Sequence, residues 1–291
     1  MEYAQSKKEL LSAVNQTVEL LQNNKTLTTG ILLFLFISIM AIMAPLVSPN
    51  DPAEMHFQER FSPPSLSFPL GTDQYGRCIF SRVVYGAQTS FFISIISTLI
   101  VVPVGILVGM CAGYFRKFDA LLMRLTDILL AFPSIVLAIA IVGVVGSTPA
   151  GIILALSIPG WAKYARIIRG STLSIKNSGF VEAARALGAP DRYILFRHVL
   201  PNSYGSIIEI ATLGLGAKII AISGLGFLGL GIQPPTPELG DILKDGLNFL
   251  QTAPMVALSS SGMIMLFVLA TNLIGSELRS ITDPRSDNLE F

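Results

Sequence analysis

Long apolar stretches alternate with short polar ones along most of the chain. The apolar stretches fall at 30–47, 87–112, 122–146, 150–168, 204–230 and 256–276. Each approaches the roughly 20 residues that carry a helix across a bilayer. The pattern predicts an all-α integral membrane protein with six transmembrane helices. Pro159, Gly160 and Lys163 interrupt the fourth stretch, and only a turn-like run, Gly146 to Gly151, separates it from the third. Ahead of the first stretch, Leu10, Leu11, Val14, Val18 and Leu21 recur at helical spacing among Lys7, Lys8 and Lys25. Residues 1–29 read either as an amphipathic helix on the membrane surface or as a frayed tail.

The longest polar interruption in the second half runs from Asn177 to Asn202. Asn177 and Ser178 are N-cap residue types, and Glu182, Ala183, Ala184, Ala186 and Leu187 are strong helix formers. Gly188 stands where a helix ends in a left-handed residue. Pro190 and Asp191 suit the first turn of a second helix, which runs to Leu200 and is stopped by Pro201. The expectation is two short helices with an elbow at Gly188. The face of Ala183, Ala184 and Leu187 is small enough to lie in another protein's groove. An amphipathic helix resting on the membrane has the same composition.

Composition agrees with a lipid setting. Hydrophobic residues make up 52% of the chain and charged ones 13%, against about 25% charged in soluble proteins. A net charge of +1 gives no nucleic-acid signature. The charges are distributed unevenly. Segments on the Glu182 side hold Lys7, Lys8, Lys25, Arg116, Lys117, Arg124, Lys163, Arg166, Arg169, Lys176, Arg185, Arg192, Arg197, Arg279 and Arg285. The other side holds Arg60, Arg77, Arg82 and Lys244. The positive-inside rule then puts both termini and the Glu182 loop in the cytoplasm. The first apolar stretch follows a long polar leader without an A-x-A site and reads as an uncleaved span.

Catalytic and metal motifs are missing. Gly71 to Cys78 has the glycine spacing of a phosphate loop, but Arg77 and Cys78 stand where Lys and Ser or Thr are needed. His56 and His198 fall on opposite sides of the membrane, and no His/Cys cluster offers a metal cage. Cys78 and Cys111 are too few for a disulfide framework and read as unpaired thiols.

Glu182-Ala183-Ala184, Gly188 and His198-Val199-Leu200-Pro201 are spaced as in the EAA loop of bacterial ABC importer permeases, which this stretch resembles. His198 stands where that family often has Ile. PLGTDQYGR (69–77), AFPS (131–134), FLGLGIQPPTPE (227–238) and the closing DPR (283–285) resemble the peptide/nickel class of these permeases, in order along the chain. The resemblance implies a type I importer permease (MetI-like) fold in the bacterial plasma or inner membrane. It implies a second homologous permease, two ATPase subunits and an extracellular substrate-binding protein as partners, besides membrane lipid and without nucleic acid. It implies no cofactor on this chain, ATP and Mg belonging to the ATPases. It implies that coupling to the ATPase falls to Glu182, Ala183, Ala184, Gly188, Leu200 and Pro201. It implies a translocation path beside Gly224, Gly226 and Phe227, which Lys218 on the same stretch is expected to join. The cargo it implies is a peptide, nickel or a metal chelate. Peptide permeases of this class often carry an acid near 221 or 222, where this chain has Ala221 and Ile222; there it resembles nickel and metal-chelate permeases better, and both cargo classes stay open. Two other classes remain as alternatives: an ion-gradient-driven secondary transporter, which would show repeated halves and intramembrane acids, and a membrane enzyme, which would need a catalytic constellation.

The expected organisation is a cytoplasmic amphipathic segment at 1–29, a first transmembrane helix at 30–47 and an extracellular segment at 48–86. A permease core of five transmembrane helices follows at 87–276, with its coupling loop at 169–203, and a cytoplasmic tail at 277–291. Gly105, Gly109 and Gly113 form one small face for close helix packing. Asp127 reads as pairing locally with Arg124, with a role in the path as the alternative. Lys218, near the middle of the fifth span, costs about 2.5–3.5 kcal/mol if it faces lipid. It is expected to face the path or an acid of the partner permease, because Glu209 is too far along the helix to pair with it.

Overall fold

The computed structural model describes residues 24–282. The expected amphipathic helix therefore lies almost wholly outside the described residues, as do the DPR motif and most of the tail. Helix α1, Lys25–Ile42, is followed by one further helical turn, Ala44–Val47. Helix α2, Ile79–Tyr114, leads to α3, Arg116–Leu130, and α4, Ser134–Val145. Helix α5, Pro149–Lys176, precedes the polar loop, and α7, Tyr204–Phe227, follows it; the loop's first helix is α6, Gly179–Ala186. Helices α8, Leu239–Leu247, and α9, Pro254–Thr282, complete the described chain. No strand occurs among the described residues; Thr72 and Cys78 form an isolated antiparallel bridge.

Helices α1, α2, α5, α7 and α9 are each long and apolar enough to span a membrane. The expected third span is not one rod. It breaks into α3 and α4, which meet at 84°. The cause is local: Pro133 lacks an N–H and disfavours helical geometry at Phe132. The fourth span, suspect for Pro159 and Gly160, is instead continuous through Pro159. The second helix begins at Ile79 rather than 87, so the segment before it ends at Cys78. That shift takes Arg82 into the helix, where it is buried.

The glycine face of α2 packs in parallel on α5. A methyl group added at Gly105 would strike Tyr164, at Gly109 Ala165 and Ile168, and at Gly113 Thr172. A main core joins α1, α2, α7, α8 and α9 through Ile37, Phe91, Ile219, Leu239, Val256 and Phe267. Large apolar side chains such as Leu32, Leu99, Leu107 and Leu258 point outward, which suits a lipid surround.

Candidate functional site

The expected loop at 169–203 begins only at 177, because the helix before it runs on to Lys176. The 177–203 loop is built as an elbow on a fixed base. Ser178 is the N-cap residue of α6, though its hydroxyl donates back to the Ile175 carbonyl rather than capping forward. The helix ends in a Schellman motif: Ala189 N–H donates to the Ala184 carbonyl and Gly188 N–H to that of Arg185, each at 3.0 Å. Gly188 has φ +83°. Beyond it the expected second helix is not uniform. Helical turns at Asp191–Ile194 and Leu200–Asn202 flank a wide π turn, Leu195–Val199. Pro201 has no N–H for the Arg197 carbonyl, and Leu200 N–H reaches back to the Leu195 carbonyl instead. Pro201 thus lies inside a helical turn, and the break comes at Ser203.

The loop's underside is anchored. Val181, Ile194 and Val199 are fully buried against Met110, Ile168 and Ile207. Lys176 donates to the carbonyls of Gly113 and Tyr114 at the end of α2, and the Tyr114 hydroxyl donates to Asp191 at 2.6 Å. The upper face is open: Glu182 and Ala183 are exposed, Ala184 is half-buried and Leu187 is 88% exposed. Leu200 is half-buried in the loop's own core, whereas Pro201 is exposed.

At the same end, α3 is tied to α5 by charge. Arg169 makes a bidentate pair with Asp119 at 2.5 and 2.7 Å. Asp127 pairs with Arg166 across to α5, and not with Arg124 on its own helix.

The opposite end is closed by a buried ionic cluster that sequence reasoning missed. Asp73 is fully buried and accepts from Arg77 Nε at 2.7 Å and Arg82 Nη1 at 2.6 Å on one oxygen. Its other oxygen accepts from the N–H groups of Tyr75 and Arg77 at 2.8 and 3.0 Å. Asp245 of α8 lies 3.7 and 3.8 Å from the same two guanidinium groups and accepts from Gln74 at 3.1 Å. The GTDQYGR stretch is therefore a clasp between the 48–78 segment, α2 and α8.

Of the four path candidates, Lys218 lines a cavity of about 350 Å³ bounded by α3, α4, α5 and α7. Its ammonium group donates to the Tyr164 hydroxyl at 3.4 Å. Gly226 lies elsewhere, pressed against the Glu238 carboxylate, where a methyl group would overlap it. Gly224 approaches Ile135 of α4, and Phe227 is on an exposed face.

A family model described as the binding-protein-dependent transport system inner membrane component matches residues 79–287. The chain belongs to this permease family. A second model, the N-terminal transmembrane domain of oligopeptide transport permease C, matches residues 18–64 of the permease. The permease is 40% identical to a dipeptide transport system permease protein of Alkalihalophilus pseudofirmus over 91% of its own length and 88% of the relative's. It is 41% identical to a glutathione transport system permease protein of Pectobacterium atrosepticum, over the same shares. A putative peptide transport system permease protein of Brucella abortus is 36% identical over 94% and 93% of the two chains. The expected all-α, MetI-like permease fold and multi-pass bacterial membrane location hold. The permease is an ABC importer permease, a transport subunit.

Beside the ionic clasp the permease buries a second acid, Glu238, at the N-terminus of α8. Its carboxylate accepts from the N–H groups of Gly240 and Asp241 at 2.9 and 3.1 Å. Burial outweighs these bonds and pushes its pKa up from 4.5 to about 7. Folded permease thus holds a proton that the unfolded chain gives up above about pH 4.5. This contribution to stability is complete below that pH and is lost as pH rises through about 7. In detergent, Glu238→Gln is expected to flatten the fall of Tm between pH 5 and 8. Parallel Tm profiles for the two proteins would contradict the assignment.

Proposed function

We propose that the permease forms half of a translocation path for peptides, beside a second homologous permease. Peptides arrive on an extracellular binding protein, and movement is driven by ATP hydrolysis on two separate ATPase subunits. Both termini and the 177–203 loop face the cytoplasm, a reading supported by the excess of Lys and Arg on that side. Glu182, Ala183, Ala184 and Gly188 form the docking face for an ATPase, with Leu200 and Pro201 supporting the elbow from behind. The observation that carries this reading is the loop itself, an exposed small-residue face with Leu187 at its tip, on a buried apolar base. Gly224 and Phe227 belong to the wall of the path, and Gly226 backs it by letting the Glu238 carboxylate pack against α7.

Peptide cargo is favoured over nickel because the relatives' names speak of dipeptide, glutathione and peptide transport. The test is uptake into proteoliposomes. Import of a dipeptide should require ATP, both ATPase subunits and the binding protein together. Import by this chain alone, driven by an ion gradient, would overturn the reading in favour of secondary transport.

A further inference from the structure

Lys218 stands in the middle of a spanning helix and is only 7% exposed. An ammonium group has three donors and is costly to bury without a partner. Here it has the Tyr164 hydroxyl at 3.4 Å and the Tyr164 ring centroid at 5.4 Å. Among the described residues no carboxylate pairs with it. Glu209, on the same helix, lies 3.7 Å from Arg279 instead.

The surroundings are organised around this group. Tyr164 is buried and held between two glycines. Gly105 of α2 makes room for its Cβ, and Gly214 of α7 for its hydroxyl. Gly214 and Lys218 are four residues apart, on one face of α7. The missing side chain at Gly214 thus brings the Tyr164 hydroxyl beside the Lys218 ammonium. Both groups line the cavity of about 350 Å³, together with Lys163, Phe132, Ser134 and Pro159. That volume falls within the roughly 300–1,000 Å³ of small-molecule sites. Phe132 sits at the bend between α3 and α4, and Ser134 opens α4.

We propose that Lys218, Tyr164 and Lys163 form a carboxylate-binding point on the translocation path, which takes the C-terminal carboxylate of a peptide in transit. The proposal rests on the reading of this chain as a peptide permease. Lys218 supplies the charge, and the Tyr164 hydroxyl accepts from Lys218 while donating to a carboxylate oxygen. Lys163, exposed on the isolated chain, adds a second cation at the same cavity. A single acid on the partner permease would satisfy Lys218, but would leave the volume and the second lysine without a role. The same two charges repel a bare divalent metal ion and a peptide's α-ammonium group, so the carboxylate end is the one engaged.

The experiment uses the complete transporter with its binding protein in proteoliposomes. Uptake of dialanine is compared with that of its C-terminal amide. The binding protein is common to all variants, so a change in the acid-to-amide ratio belongs to the permease. Lys218→Met should lower that ratio about tenfold, Tyr164→Phe should lower it by less, and Lys218→Arg should retain most of it. An unchanged ratio in Lys218→Met overturns the proposal. So does a Lys218→Met chain that no longer co-purifies with the partner permease while Lys218→Arg does, which assigns the lysine to a subunit ion pair. A wild-type transporter that imports neither probe brings down the peptide reading and the proposal with it. A peptide-importing wild type with an unaltered ratio in Lys218→Met brings down the proposal alone.

Discussion

Asp73→Ala is expected to destabilise the permease by about 3–5 kcal/mol, the usual cost of breaking a buried ion pair from one side. The magnitude follows from what remains. Arg77 and Arg82 are 6% and 3% exposed, and Asp73 supplies the near carboxylate oxygen for both. Asp245 stays behind at 3.7 and 3.8 Å, too far for a good hydrogen bond to either. Two like charges would then share a poorly hydrated pocket. Tm in detergent should fall by several degrees, and the yield of assembled complex should fall with it. Asp245→Asn is the control. Its side chain is 29% exposed, its contacts to the two arginines are long, and asparagine keeps an acceptor for Gln74, so the change should cost no more than about 1 kcal/mol. Equal Tm shifts for the two variants would contradict the assignment of Asp73 as the centre of the clasp.

Gly188→Val is expected to reduce uptake by about tenfold or more while leaving the amount of protein in the membrane near normal. Among the described residues beyond its two chain neighbours, no atom stands within 4 Å of a Cβ added at Gly188, so the substitution meets no clash there. Its cost is in the backbone alone, because φ +83° is a conformation a β-branched residue resists. A left-handed L-residue costs roughly 1–2 kcal/mol. That is too little to unfold the bundle and enough to open the Schellman closure between α6 and Asp191. Ala184→Asp tests the same face by another route, placing an unpaired carboxylate where a docked subunit would desolvate it. In both variants, ATP hydrolysis stimulated by the loaded binding protein should fall with uptake. Normal uptake in both would remove the loop from the coupling role.

The spans were legible because membrane helices advertise themselves by length and hydropathy, and the elbow because Gly188 follows a run of helix formers. Other features depend on neighbours distant in the chain. The start of α2 was misplaced because Arg82 reads as a solvated charge until Asp73 is folded onto it. The bend between α3 and α4 was hidden because an apolar average over 122–146 passes straight through Phe132 and Pro133. The partner of Asp127 was chosen by sequence proximity, whereas α5 brings Arg166 to it from 39 residues away. Of the cavity's lining, only Lys218 stood out by sequence as a path residue; Pro159, Gly160 and Lys163 read as interruptions of a span. Tyr164 is an ordinary interfacial tyrosine by sequence, and its role depends on Gly105 and Gly214 lying on two different helices. The warning was present in the Gly214–Lys218 spacing, but one helix face does not reveal what packs against it.

The buried base of the 177–203 loop has a mechanical consequence. Val181, Ile194 and Val199 sit on Met110 of α2 and Ile168 of α5, and those two helices meet along a seam where three glycines remove the usual cushion of side chains. A displacement applied at Leu187 therefore meets little slack before it reaches the paired helices, which respond as one stiff lever. Helix α5 is also tied to α3 by the Asp119–Arg169 and Asp127–Arg166 pairs, and α3 ends at the 84° bend. A load taken up at the loop would pass along these ties to the bend, where Phe132 lines the wall of the Lys218 cavity.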